Sequence, residues 1–210
     1  MPNSTDLRES LCAVIHDIHA KGWAPGTGGN FSLVQQSQPP NLLMSPSGVD
    51  KGQVRSHDLI EIDAQGKVIA GTGKASAETG LHLAIVQATG AGAVLHTHSV
   101  FNTLLSRYFE AQGKIAIAGY EMLKGLRGVT THDTTVELPV FSNHQDITDL
   151  AQQISPHLPS APHGFLLAGH GLYAWGSTLF EAKRHLEVWE FLLEITYRAL
   201  ALSTSPLSNS

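Results

Sequence analysis

The sequence predicts an α/β fold, a single layered sandwich in which helices flank a mixed, largely antiparallel sheet, and three observations carry that expectation. Apolar stripes of helical period open and close the chain. Short β-like runs separated by turn-rich pieces fill the space between them, and strands and helices interleave without the regular alternation of βαβ units. No repeat or linker divides the 210 residues, so one domain over 1–210 is expected, with a frayed tail over 202–210.

Leu7, Leu11, Val14, Ile15 and Ile18 form the first helical stripe, with Asp6 and Glu9 in capping-box spacing and Gly22 as its stop. The pattern then changes to β-like runs at 31–34, 42–44, 59–63 and 67–70, broken by turn pieces such as Ser45-Pro-Ser-Gly48 and Asp63-Ala-Gln-Gly66. The last two runs are expected to pair as a hairpin. Residues 77–89 read as a helix, 93–96 as a buried strand and 100–107 as a short helix. Strands at 115–118 and 135–140, a helix at 146–157, strands at 165–167 and 172–175, and a long helix at 178–202 complete the chain.

Composition excludes several function classes. Thirteen Lys and Arg against 18 Asp and Glu give a net charge of −5, so the basic stripe that nucleic acid demands is missing. The apolar stretches, 191–193 and 199–202 among them, fall far short of the roughly 20 residues that span a bilayer. The N-terminus has neither a basic nor an apolar export region, and a cytoplasmic protein is expected. A single cysteine, Cys12, rules out an internal disulfide and a thiolate metal site, leaving imidazole and carboxylate as metal ligands. Twelve histidines are the compositional outlier.

His96-Thr97-His98 follows an apolar run, and on an extended backbone residues i and i+2 share a face, so both imidazoles can reach one ion. Twelve histidines in this length give about 0.7 such pairs by chance, so placement has to carry the assignment. The pair sits where an apolar strand breaks into Ser99 and a helix begins. His170 occupies a comparable strand end, between Gly169 and Gly171, and is the third candidate ligand. Three neutral imidazoles with an open position are the arrangement of a catalytic zinc; the competing reading is three hydrogen-bonded strand-end histidines. His82 and His144 are candidates for supporting such a site, His16 and His19 share one helix face, and the other histidines read as structural or surface residues.

Gly26-Thr-Gly-Gly-Asn30 lies between a helix and a strand, the reverse of the strand-then-helix setting of a dinucleotide fingerprint. Such a loop can still present N–H groups and the Asn30 amide to an anion, as can Ser45-Pro-Ser-Gly48 and Gly73-Lys-Ala-Ser76 with hydroxyls and an ammonium. Together they would make a phosphate pocket; singly each is an ordinary turn. Two acids suit proton transfer. Glu78 opens a helix that carries His82 one turn on. Glu121 lies in an otherwise apolar segment, where burial would raise its pKa into a working range. Spacing does not choose between them.

In order and in combination, Thr27-Gly-Gly-Asn-Phe-Ser32, Ser45-Pro-Ser-Gly-Val49, Lys74-Ala-Ser-Ala-Glu-Thr79, His96-Thr-His-Ser99 and Gly169-His-Gly171 resemble the class II aldolase family across nearly the whole chain. The resemblance implies one zinc ion on His96, His98 and His170, and a phosphate pocket from Asn30, Ser47, Gly48 and Ser76. Ala77 stands where the family's phosphate site commonly has serine. Tyr120-Glu-Met-Leu-Lys-Gly125 and Gly171-Leu-Tyr-Ala-Trp-Gly176 are similar to a branch of lyases that remove water from a ketose 1-phosphate, with Glu121 as their acid/base. Glu78 stands where the sugar-phosphate aldolases keep their own acid/base, so aldol cleavage of a ketose 1-phosphate is the alternative. A third reading is a non-catalytic scaffold of the same fold, which would have lost metal ligands. The family also implies a homotetramer, and Trp189, Phe191, Leu192 and Leu193 cover more of the last helix than one core stripe needs.

Overall fold

The computed structural model describes residues 4–204. Its strands form one mixed sheet, β1 (Asn30–Ser37), β2 (Pro40–Met44), β3 (Ile60–Ile62), β4 (Val68–Ala70), β5 (Ala93–Thr97), β6 (Lys114–Ala118), β7 (Thr135–Phe141), β8 (Gly164–Leu167) and β9 (Gly171–Gly176), in the order β4-β3-β2-β1-β5-β9-β8-β7-β6. Among the described residues β7 with β8 is the one parallel pair; all other neighbours run antiparallel. The expected hairpin is β3 with β4, turned by Asp63, whose carboxylate accepts from the Gln65 and Lys67 amides.

Helices cover both faces. On one, α1 (Ser4–Ala20), α3 (Val100–Tyr108) and α5 (Leu179–Thr204) pack over Phe31, Leu95, Leu172 and Ala174. On the other, α2 (Thr79–Thr89) and α4 (Ile147–Ile154) pack over Leu42, Val94, Phe165, Tyr173 and Trp175. Strand alternation sorts these residues, and it fixes where the polar ones go. With Phe31 and Leu95 on the α5 side, Asn30, Ser32 and His96 face α2.

Three sequence expectations need correction at element ends. The first helix is already running at Ser4, so Asp6 is an acid in its first turn and not a cap. The helix at 146–157 is capped by Asp146 as its sequence suggests, but it stops at Ile154 and continues as a 3-10 turn, because Pro156 and Pro159 cannot supply α-helical N–H groups. Residues 202–204, expected to be frayed, continue α5; the tail beyond them, 205–210, lies outside the described residues.

The reason offered for self-association also fails. Trp189, Leu192 and Leu193 are buried in the chain's own core, and of the four residues named only Phe191 is exposed. A 26-residue helix lying across a broad sheet and also against α3 buries more than one stripe. Among the described residues no helix is long and apolar enough to cross a membrane.

Candidate metal and anion site

β1, β5 and β9 are adjacent in the middle of the sheet, and their register aligns Asn30 with His96 and His96 with Tyr173. His96 stacks on the Tyr173 ring at 4.0 Å between centroids. His98 follows two residues on, its amide donating to the Trp23 carbonyl at 2.8 Å. The third histidine comes from the β8–β9 turn. Gly169 takes φ +65°, a backbone conformation suited to glycine, and α3 clamps the turn: Thr103 Oγ1 donates to the His170 carbonyl at 3.0 Å, and Ser106 Oγ accepts from the Gly169 amide at 3.0 Å.

The three imidazoles converge through their Nε2 atoms. His98 Nε2 lies 2.7 Å from His96 Nε2, which lies 3.3 Å from His170 Nε2. Ligand nitrogens at about 2.05 Å from a tetrahedral ion stand about 3.3 Å apart, which the His96–His170 pair matches, and with all three ligand atoms within 4.8 Å of one another the cluster can close on one ion if His98 shifts. His96 Nδ1 donates to the Leu172 carbonyl at 2.9 Å, which leaves its Nε2 lone pair for a metal. Burial pushes the His96 imidazolium well below its ordinary value and that of His98 down to about 4, favouring the neutral, ligating form.

Glu78, just before α2, brings a carboxylate to the same point. Its Oε1 is 2.8 Å from His170 Nε2 and its Oε2 3.5 Å from His96 Nε2. Burial would raise this acid, but His170, the charge interactions with His96 and the Asn30 amide outweigh it and hold the carboxyl well below the usual range. Asn30 is oriented in turn from behind. Ser32 Oγ donates to His82 Nδ1 at 2.7 Å, His82 Nε2 donates to Asn30 Oδ1, and Asn30 Nδ2 donates to Glu78 Oε2. The opposite polarity would turn the amide oxygen toward an anionic carboxylate, so this direction is the consistent one. His82, named from sequence as a supporting group, supports the site through Asn30. His144 is exposed and makes no contact with the cluster.

The three glycine- and serine-rich loops meet. Asn30, Ser47, Gly48 and Ser76 all line one cavity of about 240 Å³, together with Glu78 and His98. Ser76 Oγ accepts from the Glu78 amide and from Asn30 Nδ2, so its own hydrogen is free to donate to a ligand. The ammonium expected from this region, Lys74, is exposed and does not line the cavity; Lys51 does, and it was not singled out in the sequence. The GVDKG context gave Lys51 no periodicity that would mark it as buried.

Glu121 does not match its expected environment. It starts a 3-10 turn, Glu121–Gly125, on the surface, paired with Lys124 and with His132 Nδ1 at 2.6 Å. The Lys124 ammonium beside it lowers its pKa, the opposite of the rise expected from burial, because the apolar neighbour that sinks into the core is Leu123 and the acid points away. It is not among the residues lining the histidine cavity of its own chain.

A second network, unnoticed in the sequence, anchors the histidine strand. Glu190 of α5 is buried and accepts from Thr97 Oγ1 (2.7 Å), Ser99 Oγ (2.5 Å) and Asn102 Nδ2 (2.9 Å).

Comparison with known proteins agrees with the site. The pattern of the family described as Class II Aldolase and Adducin N-terminal domain matches residues 9–197. A methylthioribulose-1-phosphate dehydratase of Picosynechococcus sp. is 45% identical over 205 residues, covering 96% of this chain and 95% of that protein. YgbL of Escherichia coli superposes with a TM-score of 0.78 at 26% identity, over 92% of this chain and 89% of the other. L-fuculose-1-phosphate aldolase of Thermus thermophilus shares the fold, with a TM-score of 0.76 at 24% identity over 97% of this chain and all of the other.

Proposed function

The chain belongs to the class II aldolase and adducin N-terminal domain family, and from that premise we propose that it is a zinc-dependent lyase of methionine salvage. It converts 5-methylthioribulose 1-phosphate to 2,3-diketo-5-methylthiopentyl 1-phosphate and water. The observation that carries the reading is the convergence of three Nε2 atoms and a carboxylate beside a cavity lined by N–H and hydroxyl donors. A non-catalytic scaffold has no use for that convergence, and the dehydratase relative matches along essentially its whole length.

His96, His98 and His170 hold the ion in this account, and when bound it supplies Lewis-acid polarisation of the substrate's C2 carbonyl. Ser47, Gly48 and Ser76 bind the phosphate. Asn30, assigned to the phosphate from sequence, shares that cavity while its amide holds Glu78 in place. A base takes the C3 proton, the C4 hydroxyl leaves as water, and the resulting enol tautomerises to the ketone.

We assign that base to Glu121 of a neighbouring copy in a homotetramer. The Asn30 amide donates to Glu78 and holds its carboxylate in place beside the histidines. An exposed acid such as Glu121 gains basicity when a second copy covers it. Val100, Leu104 and Tyr108 form an exposed apolar stripe at i, i+4 and i+8 on α3, directly after the histidines, and suit such a contact. The cytoplasm is the proposed compartment.

The test is metal dependence. Chelator-stripped protein reloaded with zinc is expected to hold about one ion per chain and to regain turnover. His98→Ala should lose both while keeping its circular dichroism. Substoichiometric zinc after reloading, or full activity in His98→Ala, rules the reading out.

A further inference from the structure

Lys51 is an anomaly in this fold. Its side chain is 1% exposed, yet among the described residues no carboxylate lies within ion-pair distance of it. Its Nζ donates to two neutral acceptors, the carbonyls of Thr27 at 3.0 Å and Val49 at 3.1 Å. An ammonium has three N–H groups, so one remains without an acceptor among the described residues. Burial lowers the pKa of this lysine, and the charge of neighbouring Asp50, which makes no ion pair with it, only partly opposes that shift. Buried charges in folded proteins are ordinarily paired, and the missing partner has an obvious place. Lys51 lines the cavity shared by Ser47, Gly48 and Ser76. Ser47 and Gly48 are exposed there, and the Ser76 hydroxyl hydrogen is uncommitted. The carbonyls that hold Lys51 belong to the loop before β1 and the loop after β2, so its position is set by two of the three loops that form the pocket.

We propose that Lys51 is the cation of this pocket: it neutralises a phosphate dianion held by Ser47, Gly48 and Ser76, and so selects a phosphorylated ketose over its unphosphorylated counterpart. The proposal rests on the phosphate-binding part of the functional reading. A hydroxyl-and-amide pocket alone would bind a neutral sugar hydroxyl nearly as well; an otherwise unpaired buried ammonium does not.

The experiment is calorimetric titration of inorganic phosphate into wild type, Lys51→Met and Lys51→Arg, each with and without bound metal. Lys51→Met should raise the phosphate Kd by about tenfold or more, equally in both metal states, and Lys51→Arg should recover part of the affinity. The KM for the ketose 1-phosphate should rise by the same factor in Lys51→Met. Phosphate binding within twofold of wild type in a folded Lys51→Met protein overturns the proposal, as does weakened phosphate binding with an unchanged KM. If Lys51→Met does not fold, wild type carrying ¹³C at lysine Cε gives the answer. Phosphate should move the Lys51 resonance, assigned by its absence in Lys51→Arg, with the calorimetric Kd; a resonance that stays in place overturns the assignment. Inorganic phosphate reports on the pocket whatever reaction follows, so failure to dehydrate the ketose 1-phosphate would leave this result standing.

Discussion

Gly171→Ala tests how tightly the histidine strand is built. A Cβ at Gly171 would stand 2.2 Å from the Thr97 carbonyl oxygen, 3.0 Å from His96 Cε1 and 3.1 Å from His98 Cδ2. The first contact falls about 1.2 Å short of ordinary van der Waals distance, which begins near 3.4 Å, and the atom it meets is backbone. β5 and β9 must therefore part by about 1 Å where both metal-facing histidines leave the strand. Overpacking of this kind costs about 2 kcal/mol, or about 4–8 °C in Tm for a chain of this size. The control lies at the other end of β5. A Cβ at Gly92 would meet the Ser177 carbonyl oxygen, also at 2.2 Å, far along the strand from the histidines. Both variants should lose similar stability in thermal melts, but zinc affinity, measured by competition with a chromogenic chelator, should fall about 100-fold in Gly171→Ala and by less than threefold in Gly92→Ala. Equal zinc affinity in the two variants would refute the claim that the β5–β9 contact sets the ligand geometry.

Two further outcomes follow from the buried and exposed acids. Burial raises the carboxyl of Glu190 above its ordinary 4.5, so between that value and its folded value the native state binds more protons than the unfolded chain, and stability must fall as pH rises through the window. Urea denaturation from pH 4 to 8 should show this slope in wild type and not in Glu190→Gln; parallel profiles would place the carboxylate's cost elsewhere. His98→Ala and Glu121→Gln should each be inactive alone, yet unfolded and refolded together they should recover about a quarter of wild-type activity, because one mixed site in four combines intact histidines with an intact Glu121 from a neighbour. No recovery would place Glu121 in the site of its own chain, and an active Glu121→Gln protein would move the base to Glu78.

The sequence carried the fold where periodicity was strong. α1, the β3–β4 hairpin and α5 are all present where apolar spacing put them, with helix ends shifted by a few residues and α4 cut short before Pro156. The candidate ligands His96, on β5, and His98, just past its end, were legible because the alternation of an extended backbone is a local rule, and His170 because flanking glycines mark a turn. Glu190, by contrast, has no local signal in its helix, because the groups that hydrogen-bond it, on β5 and at the start of α3, lie more than 85 residues away along the chain. Lys51 was hidden because a turn-rich stretch has no periodicity to mark a buried side chain. Glu121 was misjudged because an apolar neighbourhood in sequence does not say which side chain of a 3-10 turn points inward.

The most direct test of the central account is product identification. Zinc-loaded protein incubated with ¹³C-labelled 5-methylthioribulose 1-phosphate and followed by NMR should show 2,3-diketo-5-methylthiopentyl 1-phosphate accumulating as substrate disappears, with the carbon chain intact. Formation of dihydroxyacetone phosphate and a two-carbon methylthio aldehyde would contradict it and make the chain an aldolase.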